Sequence, residues 1–369
     1  MGIDLVKMWI EKFIVPRVFQ YKAGFLLESF DYKRTGVVER DVLILENFVA
    51  NLERRVVENY GHKGKNILYS LGKTFCWNYW KMLKVEPVRN FREAEKYLKT
   101  FLYFITITYS SDLLRYKLEN DYLVRFRLKD WIICEKNGLG YISSGLWAGT
   151  AAASIGQKRI EAIHPKCQGR GDEFGEALVG LPEELRKIYP QIEIIRCENF
   201  PEYKIDDLRY KLLNKYKPIP NKLSLEDFAR SKFVSLKKGI VSVSDIRFFR
   251  MEITFLHLLE SVINSNLIFQ EAKKTGIKLF DALRIKEPNT FCEFLAAIGF
   301  GGFTYHKIGQ EEIIKVFYYP YSCCLKNREF PFLCGLISGW FTAFRGREVE
   351  FKVEKYEERD SSLVIKARY

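Results

Sequence analysis

Apolar residues recur three and four positions apart in two long stretches, residues 42–59 and 246–264, with charged residues between them. This spacing is typical of a helix with one buried face, so both stretches are predicted to be helices. Another helix is predicted over residues 91–107. An amphipathic helix is predicted near the start of the chain, over residues 1–22, where Pro16 interrupts the pattern.

An alternation of apolar and polar residues follows each helical stretch and predicts strands. Residues 124–129 alternate apolar with basic side chains, and residues 314–318 repeat the pattern. Further strands are predicted at residues 113–118, 159–164, 303–308, 349–354 and 363–369. Residues 172–180 contain several glycines and few β-branched residues, so a regular fourth strand is not expected in the first half.

One segment of the sequence is repeated within the chain. Residues 134–156 return without a gap at residues 324–346, and each copy reads as a Cys-x-Lys-Asn loop followed by a helix. Small residues recur at every fourth position of that helix, at Gly145, Gly149 and Ala153 in the first copy. Such a stripe allows either close packing of the helix on its neighbours or room for a ligand against its face.

The repeated order of elements predicts an α/β fold of the α+β type. Two repeated modules, each a helical layer on a small antiparallel sheet, are expected to pack as a pseudo-dimer. The predicted boundaries are an N-terminal amphipathic helix over 1–29, a first module over 30–180, a connector over 181–232 and a second module over 233–369.

Composition adds expectations about compartment and partners. The net charge of +13 favours an anionic partner such as nucleic acid, although the same residues can be spread over an ordinary solvated surface. Eight cysteines in 369 residues predict reduced thiols rather than a disulfide scaffold. No secretory signal or transmembrane stretch is recognised, so a cytoplasmic protein is expected. Few Gln and His residues beside many Lys and Glu residues hint at a thermophilic source.

An ordered set of short motifs in the second half carries a family resemblance. The set is Leu295–Gly301, a strand pair, Cys323 and Cys324, Cys334–Gly339, Gly346–Val349, and Val353 with Glu354. This order resembles the 4-vinyl reductase domain, also called the predicted hydrocarbon-binding domain, which is similar in fold to the small subunits of the TRAPP vesicle-tethering complex. The first copy keeps Cys167 but has Ser144 where the second copy has Cys334. The resemblance implies a module that binds a small, largely apolar ligand or a partner, without a secure implication of enzymatic activity.

A ligand pocket is therefore expected between the repeated helix and its sheet. The predicted lining is Phe104, Phe126 and Trp147 in the first module and Phe294, Phe300 and Trp340 in the second, with Cys134 and Cys324 at the mouth. The spacing of Cys134, His164 and Cys167 also suits part of a metal site, with buried reduced thiols as the alternative. No other cofactor is predicted.

The predicted function is that of a non-enzymatic binding protein, which senses or holds a small apolar molecule in one or both modules. No Ser-His-Asp order, P-loop or dinucleotide fingerprint appears in the sequence. One alternative is an interaction scaffold with a protein partner or a second copy of the chain. Another is a nucleic-acid-binding regulator that uses the basic and aromatic residues of 115–117 and 125–127.

Overall fold

Three antiparallel sheets and the helices beside them make up the computed structural model, which describes residues 19–28, 39–108, 111–201, 219–237, 240–320, 328–357 and 361–368. Within these residues, contacts divide the chain into two units. The first contains residues 49–201, and the second contains the described residues of 19–48 and 219–368. The domain boundaries and the pseudo-dimer packing stay predictions.

Strands and helices are interspersed along the whole described chain. Up to residue 201 they are β1 (Phe19–Lys22), β2 (Phe25–Glu28), β3 (Glu39–Leu45), α1 (Glu46–Met82), α2 (Phe91–Thr108), β4 (Asp112–Asn120), β5 (Leu123–Lys129), α3 (Cys134–Asn137), α4 (Tyr141–Ser154), β6 (Glu161–Lys166), a 3-10 turn (Gln168–Arg170), β7 (Gly175–Gly180) and α5 (Pro182–Ile188). From residue 219 they are α6 (Leu225–Arg230), β8 (Ser235–Lys237), β9 (Ile240–Val243), β10 (Ile246–Glu252), α7 (Thr254–Val262), α8 (Ser265–Leu283), α9 (Pro288–Ala297), β11 (Gly302–Ile308), β12 (Glu311–Phe317), α10 (Pro331–Arg345), β13 (Glu350–Glu357) and β14 (Ser362–Arg368).

Each unit places helices on one four-stranded antiparallel sheet, so the predicted fold class is confirmed. The strand order is β4-β5-β7-β6 in the first unit and β11-β12-β14-β13 in the second. The helix predicted over 91–107 is present as α2, and the alternating segments 124–129 and 314–318 are the strands β5 and β12. The alternation succeeds because one face of each strand lies against buried helices while the other face is more open.

The second unit also has a six-stranded sheet that the sequence did not predict, in the order β1-β2-β3-β10-β9-β8. Its central pair, β3 and β10, occupies the first parts of the two predicted helices 42–59 and 246–264. Those two predictions were wrong there, and the helices begin only at Glu46 and Thr254. Both strands are almost wholly buried, and the run Val42–Leu45 is apolar on both faces, so in this run the spacing of apolar residues does not distinguish a strand from a helix.

Three smaller predictions also need correction. Of the predicted N-terminal helix, residues 1–18 lie outside the described chain, whereas Phe19–Lys22 and Phe25–Glu28 form the hairpin β1–β2. The Cys-x-Lys-Asn segment of the first copy is the short helix α3 rather than a loop. A regular strand, β7, does form at Gly175–Gly180, because it is fully buried between β5 and β6.

The stripe of small residues packs one helix directly onto another. A Cβ added to Gly145 of α4 would come within 3.0 Å of the Tyr69 carbonyl oxygen on α1. In the second unit, a Cβ on Gly339 of α10 would come equally close to the Lys273 carbonyl oxygen on α8. The glycines of the repeat therefore allow backbone-to-backbone contact between helices. This agrees with close packing, one of the two interpretations of the small-residue stripe.

Replacing Gly339 by alanine is expected to lower the free energy of unfolding by about 1–3 kcal/mol, because the added methyl group overpacks the α8–α10 contact. Urea denaturation of the purified chain measures this change. The exposed Lys278 on α8 provides a control, since its change to alanine should alter stability by less than about 0.5 kcal/mol. Equal effects of the two substitutions would contradict the close contact.

Candidate ligand-binding site

A small pocket in the first unit lies between α2, α4 and the sheet. The helix α2 contributes Leu98, Phe101 and Leu102, and α4 contributes Trp147, Thr150 and Ala151. The strands contribute Tyr116 from β4, Val124 and Phe126 from β5, and Val179 from β7. This is the position in which the sequence predicted a pocket, and two predicted lining residues, Phe126 and Trp147, belong to it.

Local sequence explains why these aromatic side chains meet. Val124 and Phe126 are two positions apart on β5, so they share the face turned toward the helices, whereas Arg125 lies on the other face. The rings of Phe126 and Trp147 meet edge to face, with centroids 4.4 Å apart. Trp131 also packs against Trp147, with ring centroids 4.7 Å apart, and its indole N–H donates to Ser143 Oγ.

The pocket is narrow in this structure. The volume open to the centre of a water-sized sphere is about 20 Å³, which is roughly the space of one water molecule. An aromatic ring would enter only if side chains of the lining moved. Phe101 and Tyr116 are half-buried, whereas Phe126 and Trp147 are buried, so the half-buried pair lies on the side where the pocket can widen.

Tyr116 gives the apolar pocket one polar group. Its hydroxyl is buried and has no hydrogen-bond partner among the described residues. Burial, with a smaller contribution from the charge of Glu95, raises the pKa of Tyr116, so the phenol stays neutral and can donate a hydrogen bond. A buried hydroxyl without a partner costs free energy, and a ligand with an acceptor could recover that cost.

The predicted lining of the second module is fully buried among other rings. Trp340 stacks on Phe291 with centroids 4.3 Å apart, and Phe294 packs against Phe228 at 5.6 Å. Phe300 packs against Phe332 at 5.7 Å. These side chains fill the core of the second unit, and a role for them in ligand binding stays a prediction. The side chains of Phe104 and Cys134, and the whole of Cys324, lie outside the described residues.

The metal site also stays a prediction. Within the described residues there is no group of three or more His, Cys, Asp or Glu side chains placed to hold a metal ion, and the Cys134 side chain lies outside them. Cys167 is buried, and its backbone N–H donates to Asp172 Oδ2 at 2.7 Å. Burial, reinforced by the charge of Arg170, lowers the pKa of His164 to about 4.

Sequence reasoning missed a buried polar cluster in the first unit, the Lys73 cluster, which consists of Tyr69, Lys73, Glu161 and Cys197. Glu161 Oε2 lies 2.8 Å from Lys73 Nζ and accepts from the Tyr69 hydroxyl at 2.7 Å. Its other oxygen accepts from the Cys197 backbone N–H at 2.9 Å. Burial raises the pKa of Glu161 and lowers the pKa of Lys73, and in each case the partner's charge opposes the shift.

A second missed feature is a buried glutamate before each copy of the repeated helix. Glu53 Oε1 accepts from the Ile142 N–H in the first turn of α4, and its Oε2 accepts from Asn137. Glu260 Oε1 accepts from the Phe332 N–H at the same position of α10. Glutamates within two matched helices were the available signal, but only contacts across the chain reveal their shared role as caps.

The basic strand face of the first unit is largely paired with acidic side chains. Glu176 lies 2.7 Å from Arg127 and 3.6 Å from Arg125, and Glu119 pairs with Lys117 and Arg125. These pairs neutralise part of the basic strand face that the sequence predicted as a possible nucleic-acid-binding surface. Binding of nucleic acid or of a protein partner stays a prediction.

Comparisons with known proteins add little to this geometry. No protein-family model matches the chain, and no curated protein matches it. One solved structure that matches is the phenol-responsive sensory domain of the transcription activator PoxR with phenol, at 14% identity and a TM-score of 0.34. The match covers 50% of this chain and 98% of that one. The resemblance to the 4-vinyl reductase domain therefore remains a resemblance, and the fold rests on the chain's own residues.

None of the helices in the described part of the chain is both long enough and apolar enough to cross a membrane.

Proposed function

We propose that the first unit is a binding module for a small, largely apolar molecule, held between α2, α4 and the sheet. The observation that carries this proposal is the pocket lined by Phe126, Trp147 and aliphatic side chains, to which Tyr116 and Thr150 add hydroxyl groups. Ligand pockets are commonly apolar with a few placed polar groups, and this lining has that character.

Because the pocket is narrow, ligand binding would require side chains of its lining to move. A ring-sized ligand would displace the half-buried Phe101 or Tyr116 while Trp147 stays fixed by its contacts with Phe126 and Trp131. Binding would thus be coupled to a shift of a side chain of α2 or β4, which is what a sensing role requires. A rigid core in the same place would show no such response.

Indole and toluene serve as probes of this pocket. Both are expected to raise the free energy of unfolding, by about 2.7 kcal/mol when the free ligand is at about 100 times its Kd. Native mass spectrometry of the purified chain should in addition detect any ligand retained from the cell. Quenching of tryptophan fluorescence reports on the site, since Trp131 and Trp147 lie in or beside the lining.

The variant Ala151→Leu fills the pocket from α4 and should weaken binding of the probes by about tenfold or more, because the ligand and the new side chain compete for one space. Tyr60→Ala, at an exposed position on α1, is the control and should bind as the unchanged chain does. Circular dichroism confirms that both variants fold. A clean mass without ligand, together with no stabilisation by either probe, would rule the proposal out, as would equal binding by Ala151→Leu.

A further inference from the structure

The second unit has a cleft beside the first turn of the repeated helix, and its lining residues are none of those that the sequence predicted for a pocket. Its volume is about 570 Å³, within the range of small-molecule sites. The first turns of α8 and α10 form one side, and β13 with the end of β14 forms the other. This space is much larger than the pocket of the first unit, and it lies wholly within the second.

The walls of the cleft separate into an apolar part and a charged part. Phe269 and Val353 are half-buried and give apolar surface. The charged side chains are exposed or half-buried, so they lie toward solvent, and the apolar surface lies deeper. A ligand that fits this arrangement has one apolar end and one charged end.

The charged part has more cations than carboxylates. Arg328, Lys352 and Arg368 line it, against Glu329 and Glu350. Glu350 is already engaged, because it lies 3.1 Å from Lys352 Nζ and directly opposite Arg368 in the register of β13 and β14. The positive ends of two helices, α8 and α10, add to the potential of the cations.

We propose that this cleft binds a small amphipathic anion, a carboxylate or phosphate monoester joined to a short apolar body. The guanidinium groups of Arg328 and Arg368 supply planar pairs of donors that match either anionic group. The apolar body lies against Phe269 and Val353. The two units then take ligands of different chemistry, one apolar and one anionic.

Octanoate and phenyl phosphate are the probes, and octanol is the uncharged control. Calorimetry should show saturable binding of at least one anion, about tenfold or more tighter than octanol, because charge-assisted hydrogen bonds are lost with the alcohol. Which anion binds more tightly distinguishes the carboxylate from the phosphate. The methyl resonances of Val353, which lines the cleft, should shift on binding.

The double variant Arg328→Gln/Arg368→Gln should weaken anion binding by about tenfold or more and leave octanol unaffected. Arg230→Gln, at an exposed arginine elsewhere in the second unit, should change neither. If the double variant does not fold, the proposal is tested by comparing the affinities of octanoate and octanol for the unchanged chain. The proposal fails if neither anion binds, if octanol binds as tightly, if Val353 does not respond, or if the folded double variant binds as well as the unchanged chain.

Discussion

Replacing Lys73 by methionine is expected to lower the free energy of unfolding by about 3–5 kcal/mol, because the change leaves Glu161 buried without its cation. Both side chains of the pair are 0% exposed, so water cannot take the place of the missing charge. The Tyr69 hydroxyl and the Cys197 N–H remain as donors to Glu161, but neither carries a charge. Urea denaturation at neutral pH measures the loss.

The repeat supplies a matched control in the second unit. Lys273 is the counterpart of Lys73 and pairs with Glu348, whose side chain is 77% exposed. Lys273→Met leaves that carboxylate in water and should therefore cost much less than Lys73→Met. Equal losses in the two variants would contradict the view that the buried partner makes the difference.

A double variant separates the ion pair from the rest of the Lys73 cluster. In Lys73→Met/Glu161→Gln both charges are gone, while the amide oxygen of the glutamine can still accept a hydrogen bond. We expect the double variant to be more stable than Lys73→Met alone, because no uncompensated charge remains in the core. A double variant that is less stable than Lys73→Met would mean that the carboxylate itself, and not its pairing, stabilises the fold.

The sequence predicted those parts of the fold that depend on local pattern. The strand β5 was found because Val124 and Phe126 face the helices while Arg125 and Arg127 face away. The repeated helix was found because its small residues recur every fourth position, and their close contact with α1 in the first unit and α8 in the second explains the spacing. These same two signals placed Phe126 and Trp147 in the candidate pocket.

What the sequence could not show depends on partners far along the chain. β3 pairs with β10, so Leu45 lies opposite Phe248, and no local period encodes that pairing. The Lys73 cluster likewise joins α1 to β6 and to the segment after α5. Other pocket residues come from α2, β4 and β7, and their contact with α4 depends on tertiary packing. The pairing of Lys73 with a buried glutamate therefore appears only in the structure.

A rise in pH from about 6 to about 9 is expected to destabilise the second unit through Glu260, by on the order of a few kcal/mol. Burial raises the pKa of Glu260 from the ordinary 4.5 to about 8. The folded chain therefore keeps this proton over a range of pH in which the unfolded chain has lost it. Stability from this group is complete below about pH 4.5 and is lost as the pH rises through about 8.

The surroundings of Glu260 explain why the neutral form is preferred. Its Oε1 accepts one hydrogen bond, from the Phe332 N–H, and its Oε2 has no hydrogen-bond partner among the described residues. The Cys334 thiol and the Tyr319 hydroxyl lie in its electrostatic surroundings, and burial raises the pKa of both, so both stay neutral and neither supplies a charge that would stabilise the carboxylate. Arg40, whose charge acts on Tyr319, donates hydrogen bonds to the backbone carbonyl groups of Gly24 and Tyr318. His257, one turn earlier on α7, is also fully buried.

Glu260→Gln tests this account, because glutamine keeps the acceptor for Phe332 and cannot ionise. In urea denaturation the variant should match the unchanged chain near about pH 5 and exceed its stability by about 2–4 kcal/mol near about pH 9. Glu53→Gln is the control, since Ile142 and Asn137 donate to both of its oxygens. An amide there turns its NH₂ group toward a donor, so this variant should lose about 1–3 kcal/mol near pH 6. If Glu260→Gln follows the same pH dependence as the unchanged chain, Glu260 is ionised in the folded protein and the cap of α10 is a charged one.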